Sequence, residues 1–100
     1  MPRTLLTATT GATQSSGVSL TYNELPAQFW CPGIAGAEVG TLQYQDAGGS
    51  WHDFYDSSGS VATVTATNSG LCVYGPGIYR IDKDATAGAT SVEISTARNP

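Results

Sequence analysis

The chain's single histidine and three of its aspartates crowd into one short stretch: Asp46, His52, Asp53 and Asp56. An imidazole next to a carboxylate can pass a proton as a general acid or base, provided the two side chains converge. His52 and Asp53 are neighbours on a predicted strand, and neighbours on a strand point to opposite faces. They therefore do not converge. The ten serines include no Gly-x-Ser-x-Gly elbow, and His52 alone would have to serve any triad. Gly75-Pro76-Gly77 lacks the Gly-x-x-x-x-Gly-Lys spacing of a phosphate loop, and no helix follows it. Asp46, Asp53 and Asp56 do not follow a calcium-loop pattern, and aspartates of this kind commonly build turns. Cys31, Cys72 and His52 lack zinc-site spacing. The expectation is a protein that is not an enzyme and has no catalytic residues, no metal and no cofactor.

Composition narrows the partners. Charged residues make up 12% of the 100-residue chain, well under the roughly 25% usual in globular domains. Thr and Ser together supply 23 positions, and β-branched Thr suits an exposed strand face. The net charge is −4, and the cations Arg3, Arg80, Lys83 and Arg98 are scattered. Binding nucleic acid directly needs clustered cations to displace counterions, so no nucleic-acid partner is expected. No stretch approaches the roughly 20 apolar residues of a membrane helix. Met1 to Leu6 is followed by Thr and Ala, not by an apolar run, so no secretory leader is predicted and folding in a cytoplasm is expected. In that compartment a single cysteine pair favours two buried free thiols over a disulfide.

Short β-type runs separated by turn residues must position everything else. Val18, Leu20 and Tyr22 alternate with polar residues and predict a strand with those three on one face. Ala27 to Cys31 predicts a second, ended by Pro32-Gly33. Ile34 to Gly40 reads as a loop or one short bent edge strand. Thr41 to Gln45 and Trp51 to Tyr55 form a hairpin about Asp46-Ala47-Gly48-Gly49-Ser50. Core composition favours Phe54 inward with His52 near the rim. The opposite choice would bury Trp51 and Tyr55 and take Asp53 with them, at a desolvation cost. Val61 to Thr67 places Ala62, Val64 and Ala66 on one face. Leu71 to Tyr74, Ile78 to Ile81 and Val92 to Ile94 complete the series, with Tyr79 and Ile81 facing the core and Arg80 out. Turn signals at spacings of about 8–12 residues predict an all-β fold, a small antiparallel β-sandwich of immunoglobulin-like or jelly-roll-like type. Residues 18–95 form the sandwich. Residues 1–17 form an extended N-terminal arm, and 96–100 a tail.

Trp30, Trp51, Tyr44, Tyr55 and Tyr74 offer an aromatic set. Most should pack in the core. Those left exposed could dock a protein partner, where Trp and Tyr often dominate the energy, or stack on sugars. The candidate partner-binding residues are Leu5 and Leu6 on the arm, and Trp51 and Tyr55 on the hairpin.

Leu42-Gln43-Tyr44-Gln45-Asp46-Ala47-Gly48-Gly49-Ser50-Trp51-His52-Asp53-Phe54-Tyr55 resembles the strand, Asp-x-Gly-Gly-x-Trp, strand hairpin of small tailed-phage virion proteins. Ala66-Thr67-Asn68 and Tyr74-Gly75-Pro76-Gly77-Ile78-Tyr79-Arg80-Ile81 resemble the closing segment of the same proteins. The likeness covers about residues 38–82 and is a pattern of turns. It implies a phage head decoration or cement protein, a non-enzymatic virion structural protein on the capsid exterior, assembled in the host cytoplasm. The implied partner is the major capsid protein or another virion subunit. The implied assembly is a homo-oligomer, with a trimer among the options. The alternative is a carbohydrate- or receptor-binding module of a tail or fibre.

Overall fold

Alternation of side chains decides which residues meet. In the computed structural model, which describes residues 3–97, every second residue of Ala27–Trp30 and of Tyr79 to Lys83 is buried. Among the described residues the strands are β1 (Arg3–Thr9), β2 (Thr13–Gln14), β3 (Val18–Leu20), β4 (Ala27–Trp30), β5 (Gly40–Gln45), β6 (Trp51–Asp53), β7 (Thr63–Val64), β8 (Gly70–Val73), β9 (Gly77–Lys83) and β10 (Thr90–Ser95). One sheet has the order β1-β10-β4-β8. The other is built on β9 and β5: β2 and β3 pair with β9, and β6 and β7 pair with β5. Every pairing is antiparallel. The molecule is an all-β sandwich, as the turn spacing predicts.

Phe29, Leu42, Val64, Ile81 and Val92 are completely buried between the sheets. Removing each such side chain from water contributes about 1.5–3 kcal/mol. Lys83 continues the inward parity of Tyr79 and Ile81 and is buried with them. Its ammonium donates to the Asp84 carbonyl at 2.9 Å and to Thr86 Oγ1 at 3.4 Å, the kind of pairing a buried charge requires.

Several expectations change. The segment expected as an arm pairs within its own chain: β1 lies on β10, and β2 on β9. Ser15 donates its amide to the Ile81 carbonyl at 2.8 Å, and its hydroxyl accepts the Ile81 amide at 3.0 Å. This stretch thus stitches one flank of the sandwich. Leu5 is what holds it, buried in the core, with Leu6 packed partly against that core. Tyr22 does not share the face of Val18 and Leu20. A short 3-10 turn over Tyr22–Glu24 carries it into solvent. Thr21 and Glu24 form the capping box of that turn.

The run Val61 to Thr67 is strand only over Thr63–Val64, with one bridge between Tyr55 and Val61. Ala62 and Val64 are buried as expected, whereas Ala66 is exposed because the chain has already begun to turn. Between Pro32 and β5 the chain turns on Gly33 and Gly36, both at positive φ. At Gly33 a side chain would also lie 2.5 Å from the Ala89 carbonyl oxygen. Of the expected tail, Thr96 is buried and the Ala97 amide donates to the Glu24 carbonyl at 3.0 Å. Residues 98–100 lie outside the described residues.

Candidate functional site

Two turns of the same construction frame the exposed end of β6. In Asp46 to Ser50, the Asp46 carboxylate oxygen Oδ1 accepts the amides of Gly48 at 2.9 Å and Ser50 at 3.0 Å. In Asp56 to Ser60, Asp56 Oδ1 accepts the amides of Ser58 at 2.9 Å and Ser60 at 3.1 Å. Each turn closes with the aspartate and serine backbones paired, and each puts its glycine, Gly49 or Gly59, at positive φ. There glycine is favoured because it has no Cβ to clash. The shared pattern is Asp-x-x-Gly-Ser, repeated ten residues apart.

These bonds hold both carboxyls below their ordinary value. For Asp46 the largest cause is the His52 side chain, followed by the Ser50 amide. For Asp56 it is the Ser58 hydroxyl, followed by the Ser60 amide.

His52 does meet a carboxylate, but it is Asp46 and not the adjacent Asp53. Its Nε2–H donates to Asp46 Oδ2 at 2.6 Å. A carboxylate only accepts, so the bond places a proton on Nε2. The imidazole packs on Tyr44, with ring centroids 5.4 Å apart. Tyr44 meets Phe54 edge to face at 6.2 Å, Phe54 meets Tyr79 at 5.9 Å, and Tyr79 meets Phe29 at 6.5 Å. A chain of rings thus runs from the rim to the centre of the core. Tyr79 anchors it by donating its hydroxyl to the Gly75 carbonyl at 3.0 Å, and burial pushes that hydroxyl's pKa up. Phe54 turns inward and His52 sits at the rim, as core composition predicts.

Around this chain lie two recesses that share Phe54. The first, about 520 Å³, is lined by Tyr44, His52, Asp53, Phe54 and Tyr55. The second, about 230 Å³, lies between the β8 edge of one sheet and the Phe54 to Ala62 side of the other. Leu42, Phe54, Ala62 and Leu71 give it apolar walls, and Asp56 and Tyr74 stand at it as well. Tyr55 and Tyr74 are 60% and 75% exposed, which marks them as rim residues with area left to contribute.

The other candidates are placed differently. Leu5 is committed to the core, and Leu6 leans on it while remaining half-buried. Trp51 lies on the outer face of its sheet, where the Arg80 guanidinium stacks 4.3 Å from its ring centre. Arg80 also donates to Gln43 Oε1 at 2.8 Å, and Gln43 donates to Asp53 Oδ1 at 3.0 Å. Gly17 approaches Trp51 so closely that a Cβ there would lie 3.2 Å from the ring. Of the expected partner residues, only Tyr55 borders the recesses. Tyr74 and His52 join it.

Cys31 and Cys72 are both free. Cys31 is buried, and burial pushes its thiol up to about 11 against the lowering effect of Lys83. Cys72 is exposed, because Leu71 and Val73 take the inward positions of β8. The expectation of two buried thiols holds for one of them. Among the described residues no group of three His, Cys, Asp or Glu could hold a metal ion, and no helix is long and apolar enough to cross a membrane. The chain matches no family model, no curated protein and no solved structure.

Proposed function

We propose that this protein is a non-enzymatic virion structural subunit, a phage head decoration or cement protein that binds the major capsid protein from outside and steadies the shell. The observation that carries the reading is the aromatic rim of Tyr44, Tyr55 and Tyr74 around Phe54, backed by a rigid ring chain that reaches the core. Tyr44 is anchored through Phe54 to the core, and exposed Tyr55 and Tyr74 add contact area with few rotamers to lose, which is what a protein-binding hot spot needs. Many copies on one lattice would turn modest single contacts into firm attachment. The resemblance of residues 38–82 to small phage virion proteins supplies the partner class.

A sugar-binding role would draw on a flat, open aromatic face. Trp51, the largest ring of the hairpin, has Arg80 stacked on it and Gly17 against its edge, which favours a protein partner. The test is co-sedimentation of the purified protein with shells assembled without it. Saturable binding that raises the temperature at which the shells break open supports the reading. Shells that neither bind the protein nor gain stability would overturn it.

A further inference from the structure

We infer that the apolar recess beside β8 receives an extended segment of the shell protein carrying lysine or arginine, which adds as a new strand along the β8 edge. This rests on the reading of the protein as a shell-binding subunit and names where and how it binds.

Three observations converge. First, β8 is the last strand of its sheet, paired with β4 on one side and with no strand on the other among the described residues. Backbone donors and acceptors along such an edge are a template for an added strand. Second, the recess runs alongside that edge, with Phe54, Leu71 and Ala62 ready to cover alternate side chains of the incoming segment.

Third, the charge is one-sided. Asp56 stands at this recess, and Asp53, one of whose oxygens accepts from Gln43, at the recess that shares Phe54. No Lys or Arg lines either one. Arg80 is engaged with Trp51 and Gln43, Lys83 is buried, and Arg3 sits on β1 at the opposite edge of the sheet. Carboxylates beside exposed tyrosine faces suit a cation, which gains from both the charge and the ring quadrupoles. A neutral or acidic segment would gain neither.

The experiment measures binding of the full chain to shells assembled without it, for wild type and for Y74A, Y55A, D56N and Y22A. It also follows backbone hydrogen exchange of the bound protein. Asp56→Asn keeps the side-chain oxygen that holds the turn and removes only the charge. Tyr22, highly exposed and outside both recesses, is the control. The inference predicts roughly tenfold or greater loss of affinity for Y74A, which lines the recess, a smaller loss for Y55A, which lines the adjoining one, weaker and less salt-sensitive binding for D56N, and no change for Y22A. It also predicts slowed exchange at those amides of Leu71 to Val73 that face away from β4. Wild-type binding with undiminished affinity in the groove variants, or with unchanged exchange along β8, would overturn the inference and leave the shell-binding reading standing. Absence of wild-type binding would overturn both.

Discussion

His52 Nε2 lies 2.6 Å from Asp46 Oδ2, across the hairpin turn that Asp46 itself organises. The bond is the largest cause of the lowered Asp46 pKa. In H52A the Asp46 carboxyl should therefore move back up toward its ordinary 3.8, while the amides of Ser50 and Gly48 keep it from returning fully. Side-chain carboxyl titration by NMR measures this directly. An Asp46 midpoint unaffected by the substitution would show that the pair does not form in solution.

Asp46 and Asp56 hold matching turns, and both titrate below their unfolded value of 3.8. A carboxyl depressed in the folded state contributes stability that is complete above the unfolded pKa and lost as the pH falls through the folded one. Glu38 acts in the same direction from a lower starting point than its ordinary 4.5, because the Ala87 and Ala35 amides bond its carboxylate. The protein should keep its stability down to about these ordinary values and lose it in more acid solution. D46N and D56N should each flatten the acid side of a stability-against-pH curve measured by urea unfolding. Gly49→Ala and Gly59→Ala should each cost about 1–2 kcal/mol, the penalty of a left-handed conformation for a residue with a Cβ.

The two thiols should behave as different species. Cys72, exposed on β8, should react with a thiol reagent in the native state. Cys31, buried and with its thiol pushed up to about 11, should react only on unfolding. Titration with an aromatic disulfide, with and without denaturant, counts them. No fast thiol would contradict the placement of β8, and two would contradict the burial of Cys31.

Leu5 tests whether the first residues belong to the sandwich. As a buried core residue on β1, its replacement by alanine should cost about 2–3 kcal/mol in urea unfolding. A free arm predicts no loss.

The parts of the fold legible in the sequence were those where period-two alternation survives. Val18 and Leu20, Ala62 and Val64, and Tyr79 and Ile81 announced their shared faces, and the glycine and aspartate turns announced the corners. β1 was illegible for a physical reason. Its register on β10 shifts between Thr4 and Leu6 and again between Leu6 and Thr9. The irregularities break the alternation, and Leu5 is its one fully committed apolar residue. Tyr22 and Ala66 misled in the opposite way, continuing a pattern after the backbone had turned. The rim of the site was half visible. Phe54 inward and His52 near the rim followed from composition. The Asp46–His52 pair did not, because it depends on how a turn folds a carboxylate back over the strand it leads into. Tyr74 gained its importance only from the crossing of β8 to the far sheet, a tertiary fact that no local spacing encodes.

The central claim is that this sandwich is held by a lattice of partners and serves the shell. Quantitative mass spectrometry of purified particles carrying the protein tests it most directly. The account predicts copies in fixed proportion to the major capsid protein across the whole shell, lost together with the shell's resistance to heat when the protein is omitted. A protein found only in trace amounts, or only with tail components, would contradict it.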